Sequence, residues 1–237
     1  MNILITGASK GIGKAIAQAF CRKDGCKLFL VSRDKGLLEE LENESKCLSP
    51  NCEIVLLPCD ISKPDRVKEL VSLIMQKHSA IDVLINNAGA LVNKKFDLIS
   101  DSEIDLMFNI NFKAPANLIR ELLPLLRNAG HAHVVNIGSM GGFQGSSKYP
   151  GLAFYSASKA ALSVLTECLA EEYKNEGISF NCLALGAVQT EMLSDAFPGA
   201  KAPVTANQIA EFIIDFSLTA HKFMNGKIIP LSLSNPK

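Results

Sequence analysis

Tyr155 and Lys159 stand four residues apart in FYSASKAALSVLTECL, so a phenol and an ammonium share one face of a helix. A free tyrosine titrates near pH 10, about three units above neutrality. A neighbouring ammonium favours the phenolate and draws the phenol toward a range useful for proton transfer. A second stretch, TGASKGIG, sets Gly7, Gly11 and Gly13 directly after an apolar run. Such a loop either opens a helix whose unpaired N–H groups accept a phosphate, or is a plain turn between a strand and a helix.

These residues need elements to place them. Short apolar runs over 2–6, 27–32, 53–58, 82–86, 132–138, 178–184 and 227–232 predict seven strands. Helical spacing predicts helices over 11–23, 35–47, 64–78, 154–175 and 205–219, and a helical region over 101–127 that Pro115 and Pro124 bend or divide. Strand and helix alternate almost without interruption, and the strands are apolar on both faces. That pattern predicts an α/β fold: one doubly wound domain over 1–237, a seven-stranded parallel sheet with helices on both faces. Pro230 places the last strand at a sheet edge. Ligands in such sheets bind beyond the carboxyl ends of the strands, where TGASKGIG lies.

Four segments together, TGASKGIG, NNAG (86–89), Ser139 at the end of the fifth strand and YSASK (155–159), resemble the short-chain dehydrogenase/reductase family over nearly the whole chain. The resemblance implies a Rossmann-fold oxidoreductase. Tyr155 would give a proton to a substrate carbonyl, Ser139 would hold the same oxygen, and Lys159 would hold the nicotinamide ribose. Asn111 would anchor a proton relay, with nearby Asn109 a competing match. The dinucleotide would be held by Gly7, Ser9, Lys10, Gly11, Ile12 and Gly13, by Asp60 and Ile61 at the adenine, and by Asn87, Ala88 and Gly89 at the ribose. Tyr155, Lys159, Gly186, Val188 and Thr190 would complete its site at the nicotinamide end. Asn86 reads as structural. After the second strand stand Ser32 and Arg33, where an NAD-specific site carries an acid. Arg33, seconded by Lys10, predicts NADP(H) in preference to NAD(H), although Asp34 follows directly.

Three departures from the family pattern are visible. Leu185 replaces a proline before Gly186, which should loosen that backbone. The segment MGGFQGSSKYPGLAF between Ser139 and Tyr155 is longer than usual. The tail IIPLSLSNPK lacks the family's aspartate–glycine ending.

Residues 191–203 should cover the substrate. Met192, Leu193, Ala196, Phe197, Pro198 and Pro203 make that cover mainly apolar, which points to a small or medium apolar ketone or aldehyde. A pterin, a sugar or a 3-oxoacyl thioester on an acidic carrier stays open, the last needing a basic patch from Lys94, Lys95, Arg120 and Arg127. A reading of another class is a non-catalytic NADP-binding sensor or scaffold, which retention of Tyr155 and Lys159 opposes. The resemblance also implies a homodimer or homotetramer formed through the helices near 112–127 and 154–173.

The balance of 24 basic and 24 acidic residues excludes a global basic field, so no nucleic-acid partner is expected. No stretch approaches the roughly 18 apolar residues of a membrane span, and Thr6 and Gly7 break the N-terminal run before it can act as a secretory signal. A cytoplasmic location follows. Seven cysteines, without a Cys-x-x-Cys or a neighbouring histidine, read as buried or half-buried free thiols, and no metal site is expected.

Overall fold

The computed structural model describes residues 1–233. Its elements run β1 (Asn2–Thr6), α1 (Gly11–Cys21), β2 (Lys27–Ser32), α2 (Lys35–Leu48), β3 (Glu53–Pro58), α3 (Pro64–Met75), β4 (Val83–Asn86) and α4 (Asp101–Phe108). A π-helical turn, Asn109–Lys113, leads into α5 (Ala114–Asn128). Then follow β5 (Ala132–Ser139), α6 (Ala153–Glu172), β6 (Ile178–Leu185), β7 (Val188–Gln189), α7 (Glu191–Ala196), β8 (Val204–Thr205), α8 (Ala206–Thr219) and β9 (Lys227–Leu231).

Seven strands form one parallel sheet in the order β3-β2-β1-β4-β5-β6-β9, and β7 pairs with β8 apart from it. Strand periodicity splits the core in two. Ile3, Ile5, Leu28, Leu30, Ile85 and Val135 pack against α1, α2 and α8. Leu4, Phe29, Val31, Leu84, Val134 and Phe180 pack against α3 and α5 on the other face. Because all the strands are parallel, their carboxyl ends lie along one rim. The order reverses between β1 and β4, which leaves a crevice there.

Several local expectations are corrected. Pro124 does not end a helix: α5 runs through it, burying Leu122, Leu123, Leu125 and Leu126. Pro115 sits in the first turn of α5, where its missing N–H costs nothing. The break in this region is instead the π turn. Pro230 lies on the edge strand β9, as expected. Leu185 does not loosen its segment. It is buried, and the Gly186 N–H donates to the Leu231 carbonyl at 2.8 Å, so strand pairing holds what a proline ring would otherwise fix.

The cysteines are not all free. Cys21, ending α1, and Cys52, before β3, form a disulfide with Cα atoms 5.2 Å apart. Closing a loop across 31 residues contributes about 3–4 kcal/mol on a chain-entropy basis. Cys47 and Cys168 are exposed rather than buried. The end of the tail, Ser234–Lys237, lies outside the described residues. Among the described residues no helix is long and apolar enough to cross a membrane, and no group of three potential metal ligands occurs.

Candidate functional site

A cavity of about 900 Å³ opens along the carboxyl rim of the sheet. Its floor at β1 is the glycine loop. Gly7 has φ +63°, a conformation that favours glycine, and lets the chain turn sharply from strand to loop. At Gly13 a Cβ would collide with the Gly7 carbonyl and fall 2.5 Å from Asn87 Nδ2. Only glycine lets α1 press onto the loop this closely. Lys10 precedes α1 and offers no side-chain cap, so the first N–H groups of the helix remain available to an anion. The turn-only alternative explains the close packing but not an uncapped helix end facing a large cavity. The loop therefore fits a pyrophosphate.

Thr6, to which the sequence reading gave no role, clamps this loop to the next. Its hydroxyl accepts the N–H groups of Asn87 (3.0 Å) and Ala88 (3.1 Å). Asn87 replies through Nδ2 to the carbonyls of Thr6 (3.0 Å) and Gly7 (3.2 Å). A hydroxyl residue closing an apolar strand was the available signal. Asn86, read as structural, is buried and donates to the Asn136 side chain at 2.8 Å, across the β4–β5 pair, rather than to backbone groups.

At the far end, Ser9 and Ser32 share a hydrogen bond of 2.8 Å, and Lys10 and Arg33 line the cavity beside them. Asp34 accepts the Leu37 N–H at 3.0 Å and caps α2. Asp60 and Ile61 also line this end. Burial pushes the Asp60 carboxyl up, but two hydrogen bonds from Ser62 and the Arg33 charge outweigh it and leave the pKa below the usual value.

The other end gathers the polar residues of three elements. Ser139, at the end of β5, accepts the Gly141 N–H at 3.1 Å and lines the cavity together with Tyr155. Tyr155 and Lys159 both face the cavity from α6. Lys159 is 4% exposed and donates from Nζ to the Ile137 carbonyl at 2.8 Å. Burial lowers its pKa to about 8, against an opposing effect of Cys182 behind it. Burial also raises the Tyr155 phenol, outweighing the Ser139 hydrogen bond that lowers it. This corrects the expected direction: in this cleft desolvation governs the phenol, not the ammonium.

Asn111 sits within the π turn and is 0% exposed. Its Oδ1 accepts the Ala90 N–H and its Nδ2 donates to the Ala90 carbonyl, each at 2.8 Å. Nδ2 also reaches Ser158 Oγ at 2.9 Å. An extra residue in the turn is what directs this side chain inward, a device frequent at functional sites. Of the residues singled out by sequence, Gly13 and Asn111 stand behind the cavity wall. Gly7, Ser9, Lys10, Gly11, Ile12, Ser32, Arg33, Asp60, Ile61, Asn87, Ala88, Gly89, Ser139, Tyr155, Lys159, Gly186, Val188 and Thr190 line it.

Beyond Tyr155 the walls are mainly apolar, with Ser146 and Ser147 also lining the cavity. Met192, Leu193, Phe197 and Pro203 line the cavity as expected; so do Leu91, Tyr149 and Leu152, which the sequence reading passed over. Thr190 caps α7 through the Leu193 N–H. The Ala196 carbonyl accepts from Asn93 Nδ2 at 2.9 Å. Lys148, in the long segment before α6, donates to the Phe143 carbonyl at 2.7 Å and to Ser146 Oγ at 2.8 Å. Lys94 pairs with Glu103, Arg120 with Glu121 and Arg127 with Glu176, so three of the four proposed patch cations already have acidic partners.

Known proteins share the family and the fold. The family model described as short chain dehydrogenase matches residues 1–201. An uncharacterized oxidoreductase of Staphylococcus saprophyticus is 31% identical over 213 residues, covering 89% of this chain and 88% of that protein. Another, from Staphylococcus aureus, is 29% identical over 222 residues, with 94% and 92% covered. Among solved structures, levodione reductase superposes with a TM-score of 0.88 at 26% identity, over 98% of this chain and 95% of that one. The Pseudomonas aeruginosa RhlG/NADP active-site complex does so with a TM-score of 0.85 at 26% identity, over 98% and 94%. The chain is an oxidoreductase and belongs to the short chain dehydrogenase family.

Proposed function

We propose that this protein reduces uncharged, largely apolar ketones or aldehydes with NADPH, or runs the reverse oxidation. The observation that carries the reading is the convergence of Ser139, Tyr155 and Lys159 on one cavity that begins at an uncapped, glycine-lined helix end. When bound, NADPH supplies a hydride to the substrate carbon.

The chain's own residues do the rest. The glycine loop and the N-terminus of α1 hold the pyrophosphate. Ser139 and Tyr155, which line the same cavity, both direct hydroxyls at the carbonyl oxygen. Tyr155 transfers its proton to that oxygen, and Ser139 stabilises the charge that develops there. Lys159 holds the ribose and, while charged, draws the phenol toward deprotonation. Asn111 anchors the relay that returns a proton.

The adenosine end supports NADPH over NADH. Arg33 and Lys10 are cations at the rim, and Asp34, the acid that would favour NADH, is engaged as a helix cap. The same preference fits the similar RhlG/NADP complex. Lys94 and Lys148 do not line the cavity and are bonded elsewhere, so neither offers a carboxylate substrate a partner. The pairing of Lys94, Arg120 and Arg127 with acids weighs against docking of an acidic carrier. Exposed Val164 on α6 suits a homodimer or homotetramer through α5 and α6.

Turnover is tested by following NADPH oxidation against ketones, diketones, quinones and 3-oxoacyl thioesters. Tyr155→Phe should cut kcat about 10²–10⁴-fold, the usual worth of a placed general acid. Wild-type rates in that variant would remove Tyr155 as the proton donor. Arg33→Ala should weaken NADPH by roughly 10–100-fold, as loss of a charge-assisted hydrogen bond does, and leave NADH nearly unchanged. Equal losses for both would overturn the 2′-phosphate assignment.

A further inference from the structure

The first turn of α6 carries Tyr155 yet has no side-chain cap: Leu152 precedes it and provides no hydrogen bond. Uncapped helix ends fray, and a proton donor two residues inside such an end would wander. The structure supplies a different restraint. Ser158, 0% exposed, donates from Oγ to the Tyr155 carbonyl at 2.7 Å. The same oxygen accepts Asn111 Nδ2 at 2.9 Å. Asn111 in turn grips both backbone groups of Ala90 at 2.8 Å. One buried hydroxyl thus joins the turn bearing Tyr155 to the π turn, and through it to the loop after β4.

Space around this chain is tight. A Cβ on Gly89 would lie 3.3 Å from Asn111 Oδ1 and 3.5 Å from Lys159 Nζ. Asn111 and Lys159 therefore flank the same loop, and a shift of Asn111 is felt at both ends of α6's working face. Ser163, one turn further along α6, makes the same kind of bond to the Lys159 carbonyl at 3.2 Å but does not contact Asn111 through any hydrogen bond described here. Its hydroxyl also lies 3.7 Å from Cys182 Sγ, so it offers a control for losing a buried helix hydroxyl without the tie to Asn111.

We infer that Ser158 is a positioning residue that fixes the Tyr155 turn of α6 in register with Asn111. The inference rests on the reductase reading for its kinetic consequence but not for its structural one. The hydroxyl itself touches neither substrate nor cofactor; it acts through Asn111 and the Tyr155 backbone.

The test uses Ser158→Ala, nearly isosteric, with Ser163→Ala as the control. In the free protein, amide hydrogen exchange over 153–158 should accelerate about tenfold in Ser158→Ala and not in Ser163→Ala, because only the first loses the tie to the π turn. With NADPH and the best carbonyl substrate, kcat should fall roughly 10–100-fold, the cost of misplacing a reacting group, with KM and NADPH affinity held within about threefold. Ser158→Ala and Asn111→Ala combined should be no worse than Asn111→Ala alone, since both act through one chain. Unchanged exchange over 153–158, or additive kinetic losses, would overturn the inference. Faster exchange in a protein that reduces no carbonyl would leave the positioning role standing and remove the reductase reading instead.

Discussion

The two ends of the cavity are built from different materials. At the dinucleotide end the contacts are main-chain groups and short buried side chains: Gly7 against Asn87, Gly13 against the Gly7 carbonyl, Thr6 clamping two loops. At the substrate end the walls are side chains on connecting segments. Asn93 reaches the Ala196 carbonyl, Gln189 accepts the Ala202 N–H, and Ser146 and Lys148 knit the segment before α6. Backbone geometry fixes one ligand shape, because a Cβ added at Gly7 or Gly13 meets another main chain. Side-chain walls can change size without disturbing the sheet. The first end therefore defines the coenzyme class and the second defines which carbonyl compound is admitted.

Three measurements sharpen or break that contrast. The largest effect belongs to Gly13→Val. Its side chain would enter the Gly7 carbonyl and Asn87, so unfolding should become easier by roughly 3 kcal/mol or more, with NADPH binding lost alongside. Retained affinity at wild-type stability would show that the loop yields and that the dinucleotide end is no more rigid than the other.

An intermediate effect concerns the opposite end of the sheet. His133 is 1% exposed and held neutral: Nδ1 meets the Ser217 carbonyl at 2.9 Å and Nε2 meets Asn181 Nδ2 at 3.0 Å. That geometry gives Nδ1 the proton and leaves Nε2 accepting. Burial lowers its pKa from 6.5 to about 4. The folded protein then binds fewer protons than the unfolded chain between those values, so stability is full above about pH 6.5 and declines as the pH falls toward 4. At pH 5 the loss should be about 2 kcal/mol in urea unfolding. His133→Gln should flatten this part of the profile. A wild-type profile level between pH 7 and 5 would show that protonation of His133 is accommodated.

The smallest effect on stability lies at the substrate end. Met192→Ala should alter KM severalfold and shift the ranking of ketones by chain size. It should change stability by less than about 0.5 kcal/mol, because the residue is 36% exposed. A stability loss comparable to that of Gly13→Val would erase the distinction between the two ends.

The sequence exposed the dinucleotide end far more fully than the substrate end, for a physical reason. Glycines, an arginine in place of an acid, and a tyrosine–lysine pair at helical spacing are local patterns, legible one at a time. The parallel sheet was equally legible, since apolar runs alternated with amphipathic ones. What stayed hidden depends on residues distant in the chain. Cys21 and Cys52 meet only because β3 pairs beside β2. Leu185 seemed a loosening substitution until Leu231 came alongside it. Pro124 suggested a broken helix because a missing N–H is a local fact, whereas the buried leucines around it are a tertiary one. The phenol's direction of shift likewise followed burial, which spacing alone does not report.

The sheet's outer border at β9 has a consequence for assembly. The Leu231 carbonyl points inward to Gly186, and backbone direction alternates along a strand. Pro230 must therefore face outward, where it presents a ring and no donor. Within Lys227–Leu231 a visiting strand from another molecule would find the carbonyls of Ile228 and Pro230 but only one donor, the Ile228 amide. The proline thus leaves the β9 border poorer by one donor for strand addition, whereas β3 forms the sheet's other border.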